Sequence, residues 1–186
     1  MWQLILAHAI VGFVGLLFLQ AGLAKWQQRE EFGAVVANYN ILPEQISMTL
    51  GRWLPGCEVI LGMGLLSVSA TAAGPILVWM AVGLLLLFAS AMAVNLVRGR
   101  KQINCGCGVG GINRDLSWGK VTENVCLSGL LVLLAPLTSH ATSGSLLLGL
   151  ATGITGLLLY QSLLLLIASH RILQISQDSL STDKIK

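Results

Sequence analysis

"VILGMGLLSVSATAAGPILVWMAVGLLLLFASAMAVNLV", residues 59–97, contains no Asp, Glu, Lys or Arg. A helix rises 1.5 Å per residue and roughly 20 residues cross a bilayer core, so a stretch this long holds two crossings. Thr71-Ala72-Ala73-Gly74-Pro75 is the natural break between them. The same count applies on either side. No charged residue precedes Lys25, and none occurs from Asn124 to His170, where Pro136 and the run Thr138 to Gly144 interrupt a second long stretch. Five spans follow, at about 3–24, 55–72, 76–97, 122–138 and 145–168. Helices are required, because each unpaired backbone group in lipid costs several kcal/mol.

Composition agrees. Of 186 residues, 55% are hydrophobic and 10% charged, and the mean hydropathy is +0.79, too apolar for an ordinary soluble domain. The expected fold class is all-α: a polytopic transmembrane helix bundle of about five spans, forming one domain over residues 1–173, followed by a polar tail from 174 to 186 that frays. Met1-Trp2-Gln3 lacks the basic residues of a secretory signal, so the first apolar stretch is read as a retained helix.

The connection over residues 27–53 has a pattern of its own. Phe32, Val35, Val36 and Tyr39 recur at i, i+3, i+4 and i+7, which predicts a short amphipathic helix ended by Asn40 to Pro43. Ile46, Leu50 and Trp53 suggest a second amphipathic piece. Such a helix lies in the headgroup layer or offers a docking surface.

Five spans put the termini on opposite sides. All 11 Lys and Arg residues then fall on the face that holds the first loop, the third loop and the C-terminus. The positive-inside rule predicts an outside N-terminus and a cytoplasmic basic face in a bacterial inner membrane. Topology accounts for most of the basic residues, so nucleic acid is not an expected partner.

The candidate chemistry sits on that face. Cys105 and Cys107 flank Gly106 in the third loop, while Cys57 opens the second span and Cys126 lies near the start of the fourth. Residues i and i+2 lie at most about 7 Å apart at Cα, near the upper limit for a disulfide, and glycine can bring them closer. Such a bridge is strained, and strain makes it exchange readily. Arg98, Arg100, Lys101, Arg114 and Lys120 surround the loop and favour the reactive thiolate. Thiol–disulfide exchange is therefore the leading reading. Two others stay open: a soft-metal site for Cu(I) or zinc completed by Cys57 or Cys126, and ordinary small apolar residues in helices. No resident cofactor is predicted, and a metal or a quinone is not excluded.

Glu58 is the only acid inside an apolar stretch. It is expected either in the first turn of a helix opened by Pro55, where the dipole favours a negative charge, or as a functional proton carrier beside Cys57. Asn95 and Asn124 are expected to bond helix ends. Gly149, Gly153 and Gly156 put small residues on one side of the last span, where they permit close packing.

"FLQAGLAKW", "NYNILPE", "LPGCE", "FASAMAVNLVRGRKQINCGCG" and "LSWGKVTEN" resemble, in this order, the methylamine utilisation protein MauE family of DoxX-like membrane proteins. The matching positions are Lys25, Tyr39, Pro43, Pro55, Glu58, Asn95, Arg98, Gly99, Cys105, Gly106, Cys107, Trp118 and Asn124. The resemblance implies a four-helix core plus one further helix, and support for maturation of a disulfide-rich exported protein of the methylamine dehydrogenase light-chain type. It also implies a thioredoxin-like partner or a place in a larger membrane complex, as a structural subunit or a thiol-disulfide oxidoreductase. A periplasmic client is compatible with a cytoplasmic cysteine face if the loop passes electrons across the membrane.

Overall fold

The computed structural model describes residues 2–67, 74–103, 116–136, 147, 151–163, 165, 166 and 169. Among these residues the chain forms six helices and no strand. They are α1 (Trp2–Gln27), α2 (Arg29–Asn38), α3 (Glu44–Leu66), α4 (Gly74–Val97), α5 (Trp118–Leu134) and α6 (residues 151–163).

Two of them are long and apolar enough to cross a membrane, over Leu6–Gln27 in α1 and Gly74–Val97 in α4. The outer surface of α4 is as apolar as its inner one. Ile76, Trp79, Met80, Leu87 and Val97 are all exposed, a pattern that suits lipid and not water. α1 and α4 coincide with the first and third expected spans.

The second expected span needs correction. The sequence placed its start at Pro55, but α3 begins at Glu44 and runs unbroken through that proline. Proline removes one i→i−4 bond and usually kinks a helix. Here the proline and the turn before it are held by packing: Pro55 and Gly51 are buried, and a side chain at Gly51 would strike the backbone of Gly33 in α2. The second amphipathic piece and the start of the second expected span are therefore one helix. Glu58 lies in its middle, so a helix dipole does not explain it.

α1 packs along α3, and α4 along α5. The first contact is close because two glycines face each other. A Cβ on Gly62 would come within 2.7 Å of the Leu19 nitrogen and 2.8 Å of the Gly15 oxygen. α6 meets α1 in the same manner, since a Cβ on Gly153 would stand 2.9 Å from the Gly12 carbonyl carbon. Gly153 and Gly156 thus pack against α1, while Gly149 lies outside the described residues. The main core joins Val11, Val14 and Phe18 of α1 to Leu61 and Leu65 of α3, Val78, Val82 and Leu85 of α4, and Leu131 of α5.

A second cluster closes the end of the bundle where α4 finishes and α5 begins. Ala89, Met92 and Leu96 pack there with Leu116 and Val121, and Tyr39, Phe88 and Ile103 lie against them. α4 stops in a Schellman turn: the Gly99 amide donates to the Leu96 carbonyl and the Arg100 amide to the Asn95 carbonyl, both at 3.0 Å. Gly99 takes φ +78°, which any side chain would strain. This turn aims Arg98 at the Asn40 carbonyl (3.1 Å) and Arg100 at the Tyr39 carbonyl (3.4 Å) and at Asn95 Oδ1 (3.3 Å). Both arginines thereby tie α4 to the α2–α3 connection.

Candidate functional site

Lys25 ends α1 and Glu58 lies in the middle of α3, and the close α1–α3 contact brings them together. Lys25 Nζ donates to Glu58 Oε1 at 2.5 Å. Glu58 is 0% exposed and Lys25 8%, so neither charge is solvated by water, and each needs the other. The rings of Phe32 and Phe88 flank the ammonium, with centroids 5.0 and 4.7 Å from Nζ, close enough for cation–π attraction. Glu58 Oε2 is buried with no hydrogen-bond partner among the described residues.

Lys25 lines two cavities and Glu58 one of them. One, of about 270 Å³, is lined by Lys25, Glu58 and Phe88 together with Lys120, Glu123 and Tyr160. The other, of about 390 Å³, is a half-open groove between α2, α3 and α4. Phe32, Val35, Val36 and Tyr39 all line the second cavity. The amphipathic face of α2 is thus turned towards this groove.

A second polar cluster occupies the far wall of the smaller cavity. Lys120 Nζ donates to Glu123 Oε2 at 2.7 Å and to the Tyr160 hydroxyl at 3.1 Å, and that hydroxyl donates to Glu123 Oε1 at 2.5 Å. Tyr160 also sets the edge of its ring against Phe13, with centroids 6.0 Å apart and an interplanar angle of 77°. Asn124 lines the same cavity and donates from Nδ2 to the Lys120 carbonyl at 2.8 Å. Asn95 is fully buried and donates to the Ala91 carbonyl at 3.2 Å. Both amides bond a carbonyl one turn back in their own helix and not an unpaired helix-end group, and Asn95 Oδ1 also accepts from Arg100.

The cysteines are distributed differently. Cys57 and Cys126 are free and exposed, whereas Glu58, one residue from Cys57, is buried on Lys25. Cys105 and Cys107 lie outside the described residues, as does Arg114. What is described is the base of their segment. Ile103 and Leu116 are the described residues on either side of it, and the Leu116 amide donates to the Ile103 carbonyl at 3.2 Å. Among the described residues no group of three His, Cys, Asp or Glu side chains could hold a metal ion.

Sequence reasoning found Glu58 but missed its partner, because Lys25 was absorbed into the charge count for topology. A usable signal existed: a carboxylate sunk in an apolar stretch requires a cation, and Lys25 ends the preceding apolar helix. The Lys120–Glu123–Tyr160 cluster had no such signal, since α5 and α6 are distant in sequence.

An all-helical bundle with lipid-type apolar surfaces and ion pairs sunk between its helices belongs to the class of helical membrane proteins. The family model described as "Methylamine utilisation protein MauE" matches residues 3–137. The chain is 40% identical over 161 residues to the methylamine utilization protein MauE of Paracoccus denitrificans, covering 83% of each chain. The protein of that name from Paracoccus versutus is 37% identical over 165 residues, 89% of this chain and 85% of the relative. That from Methylorubrum extorquens is 36% identical over 159 residues, 82% and 83%. No solved structure matches. The chain belongs to the MauE family.

Proposed function

We propose that the protein acts in methylamine utilisation as a multi-pass membrane protein of about five spans in the bacterial inner membrane. Its Cys105–Cys107 pair supports thiol–disulfide handling during maturation of a disulfide-rich exported protein of the methylamine dehydrogenase light-chain type. A thioredoxin-like protein is the natural exchange partner. The N-terminus lies outside and the basic end, with the cysteine segment and the C-terminus, faces the cytoplasm.

One observation carries this reading. Ile103 and Leu116, the described residues that flank the segment bearing both cysteines, pack on one cluster and are hydrogen bonded to each other, and Arg98 and Arg100 stand a few residues before Ile103 in the chain. Basic residues close by in the sequence favour the thiolate, which is the reactive form in exchange.

The test is substitution in the native host. Cys105→Ser and Cys107→Ser should each abolish maturation of the client, and one of them should trap a mixed disulfide with the partner. A role as a structural subunit is favoured by the exposed Ile46, Met48, Leu50 and Trp53 on the N-terminal half of α3. In that case both cysteine variants work normally and substitutions on that surface disrupt a complex.

A further inference from the structure

The groove between α2, α3 and α4 has a buried floor and an open apolar rim. Phe32 and Met92 are buried along it, whereas Ile41, Leu42, Leu50, Leu87 and Val94 are all exposed. At about 390 Å³ it has the size of a small-molecule site. Lys25, Ser47 and Ser90, polar side chains on its wall, are already engaged. Lys25 donates to Glu58, Ser47 to the Leu42 carbonyl and Ser90 to the Leu86 and Leu87 carbonyls. An occupant therefore gains chiefly by covering carbon.

One end of the groove meets cations. Leu87, Ala91 and Val94 recur at i, i+4 and i+7 on one stripe of α4, and all three line the groove. Arg98 continues that stripe one turn beyond Val94, to whose carbonyl its amide donates at 3.1 Å. Its guanidinium donates to the carbonyl of Asn40, the residue before Ile41 on the rim. An arginine has five N–H donors, so this bond leaves others for a second acceptor at the same place. Arg100 and the exposed Lys101 follow in the chain, and the α2–α3 connection adds no acid before Glu44 in the first turn of α3. An apolar groove with an exposed rim and arginine at its end matches a molecule that joins an acyl chain to an anionic head. Arginine takes phosphate oxygens through paired N–H bonds, and basic residues at a membrane surface attract acidic lipid.

We propose that the groove holds one acyl chain of an acidic phospholipid from the surrounding bilayer, with the phosphate on Arg98. The proposal rests on the membrane setting of the fold and not on the thiol reading. The chain enters from the side past the exposed Leu87 and Val94 and lies on Phe32 and Met92. The lipid then joins α4 to the α2–α3 connection, which Arg98 and Arg100 already tie together. α2 covers a lipid chain with the apolar face that an isolated interfacial helix would press into the bilayer.

The full-length protein, purified in detergent and stripped of lipid, is titrated with dioleoylphosphatidylglycerol and separately with dioleoylphosphatidylcholine, and bound lipid is counted by native mass spectrometry. A form of the acidic lipid with a diazirine in one chain is then cross-linked and mapped. One acidic lipid should bind saturably and at least about fivefold more tightly than the zwitterionic one, the preference that one basic residue near the surface gives. The label should fall within residues 32–42, 47–54 and 87–94. Arg98→Gln should remove the preference and leave chain binding, and Ala91→Trp, which fills the groove, should weaken both lipids by about tenfold or more. Equal affinity of the parent for the two lipids overturns the head-group site. Binding that does not saturate, or label that falls elsewhere, overturns the groove, and neither result relies on a variant folding. A preference that survives Arg98→Gln overturns the seat of the phosphate. Displacement of the acidic lipid by an equal concentration of oleate overturns the choice of ligand, because the groove is then a simple acyl-chain site. A dimer whose copies cross-link through residues 87–94 gives the groove to a second copy and overturns the lipid as well.

Discussion

Lys25 and Glu58 show what a buried charge demands of its neighbours. Each is stable in the interior only because the other is there, so removing one leaves an uncompensated charge. Glu58→Ala should destabilise the folded protein by about 3–5 kcal/mol, and Lys25→Met by a similar amount. The double variant Lys25→Met/Glu58→Met should lose much less than the sum, because no orphan charge remains. Thermal denaturation of the four proteins in one detergent checks this, and additive losses would contradict the coupling. Gly99 makes a separate prediction. At φ +78°, Gly99→Ala should cost about 1–2 kcal/mol from backbone strain alone. The loss should also loosen the turn that aims Arg98 and Arg100, and amide hydrogen exchange at Val97 to Lys101 should quicken.

Among the helices, the sequence was most legible where apolar runs were long. α1 and α4 stand where charge-free stretches placed them, and α2 lies where the i, i+3, i+4, i+7 spacing predicted. α3 was misread because proline is a strong local signal, whereas the contacts that override it lie in another helix. Gly51 packs on Gly33, and Gly62 on Gly15 and Leu19, and neither meeting can be seen in a single apolar pattern. The same limit hid the site. Glu58 was conspicuous as a lone acid, but its pairing with Lys25 required knowing that α1 and α3 touch. Gly62→Leu tests that contact directly. The added side chain would strike the Leu19 and Gly15 backbones, and about 1–3 kcal/mol or more of stability should be lost. Gly83→Leu is the control, since a Cβ there meets nothing within 4 Å. It should change stability by no more than about 0.5 kcal/mol.

The whole molecule combines an apolar exterior with an interior that is polar at chosen points. Exposed Ile76, Trp79 and Met80 on α4 suit a hydrocarbon solvent, while the paired charges line cavities between helices. At one end of the bundle the α4 turn, the α2–α3 connection and the feet of the cysteine segment are joined by hydrogen bonds and a shared apolar cluster. The decisive measurement is thiol labelling in intact cells and in inside-out vesicles with a membrane-impermeant maleimide, before and after reduction, with the modified cysteines mapped by mass spectrometry. The account predicts that Cys105 and Cys107 react only after reduction, and only in the vesicles. Labelling of both without reduction would contradict a working disulfide pair, and labelling from outside intact cells would reverse the proposed topology.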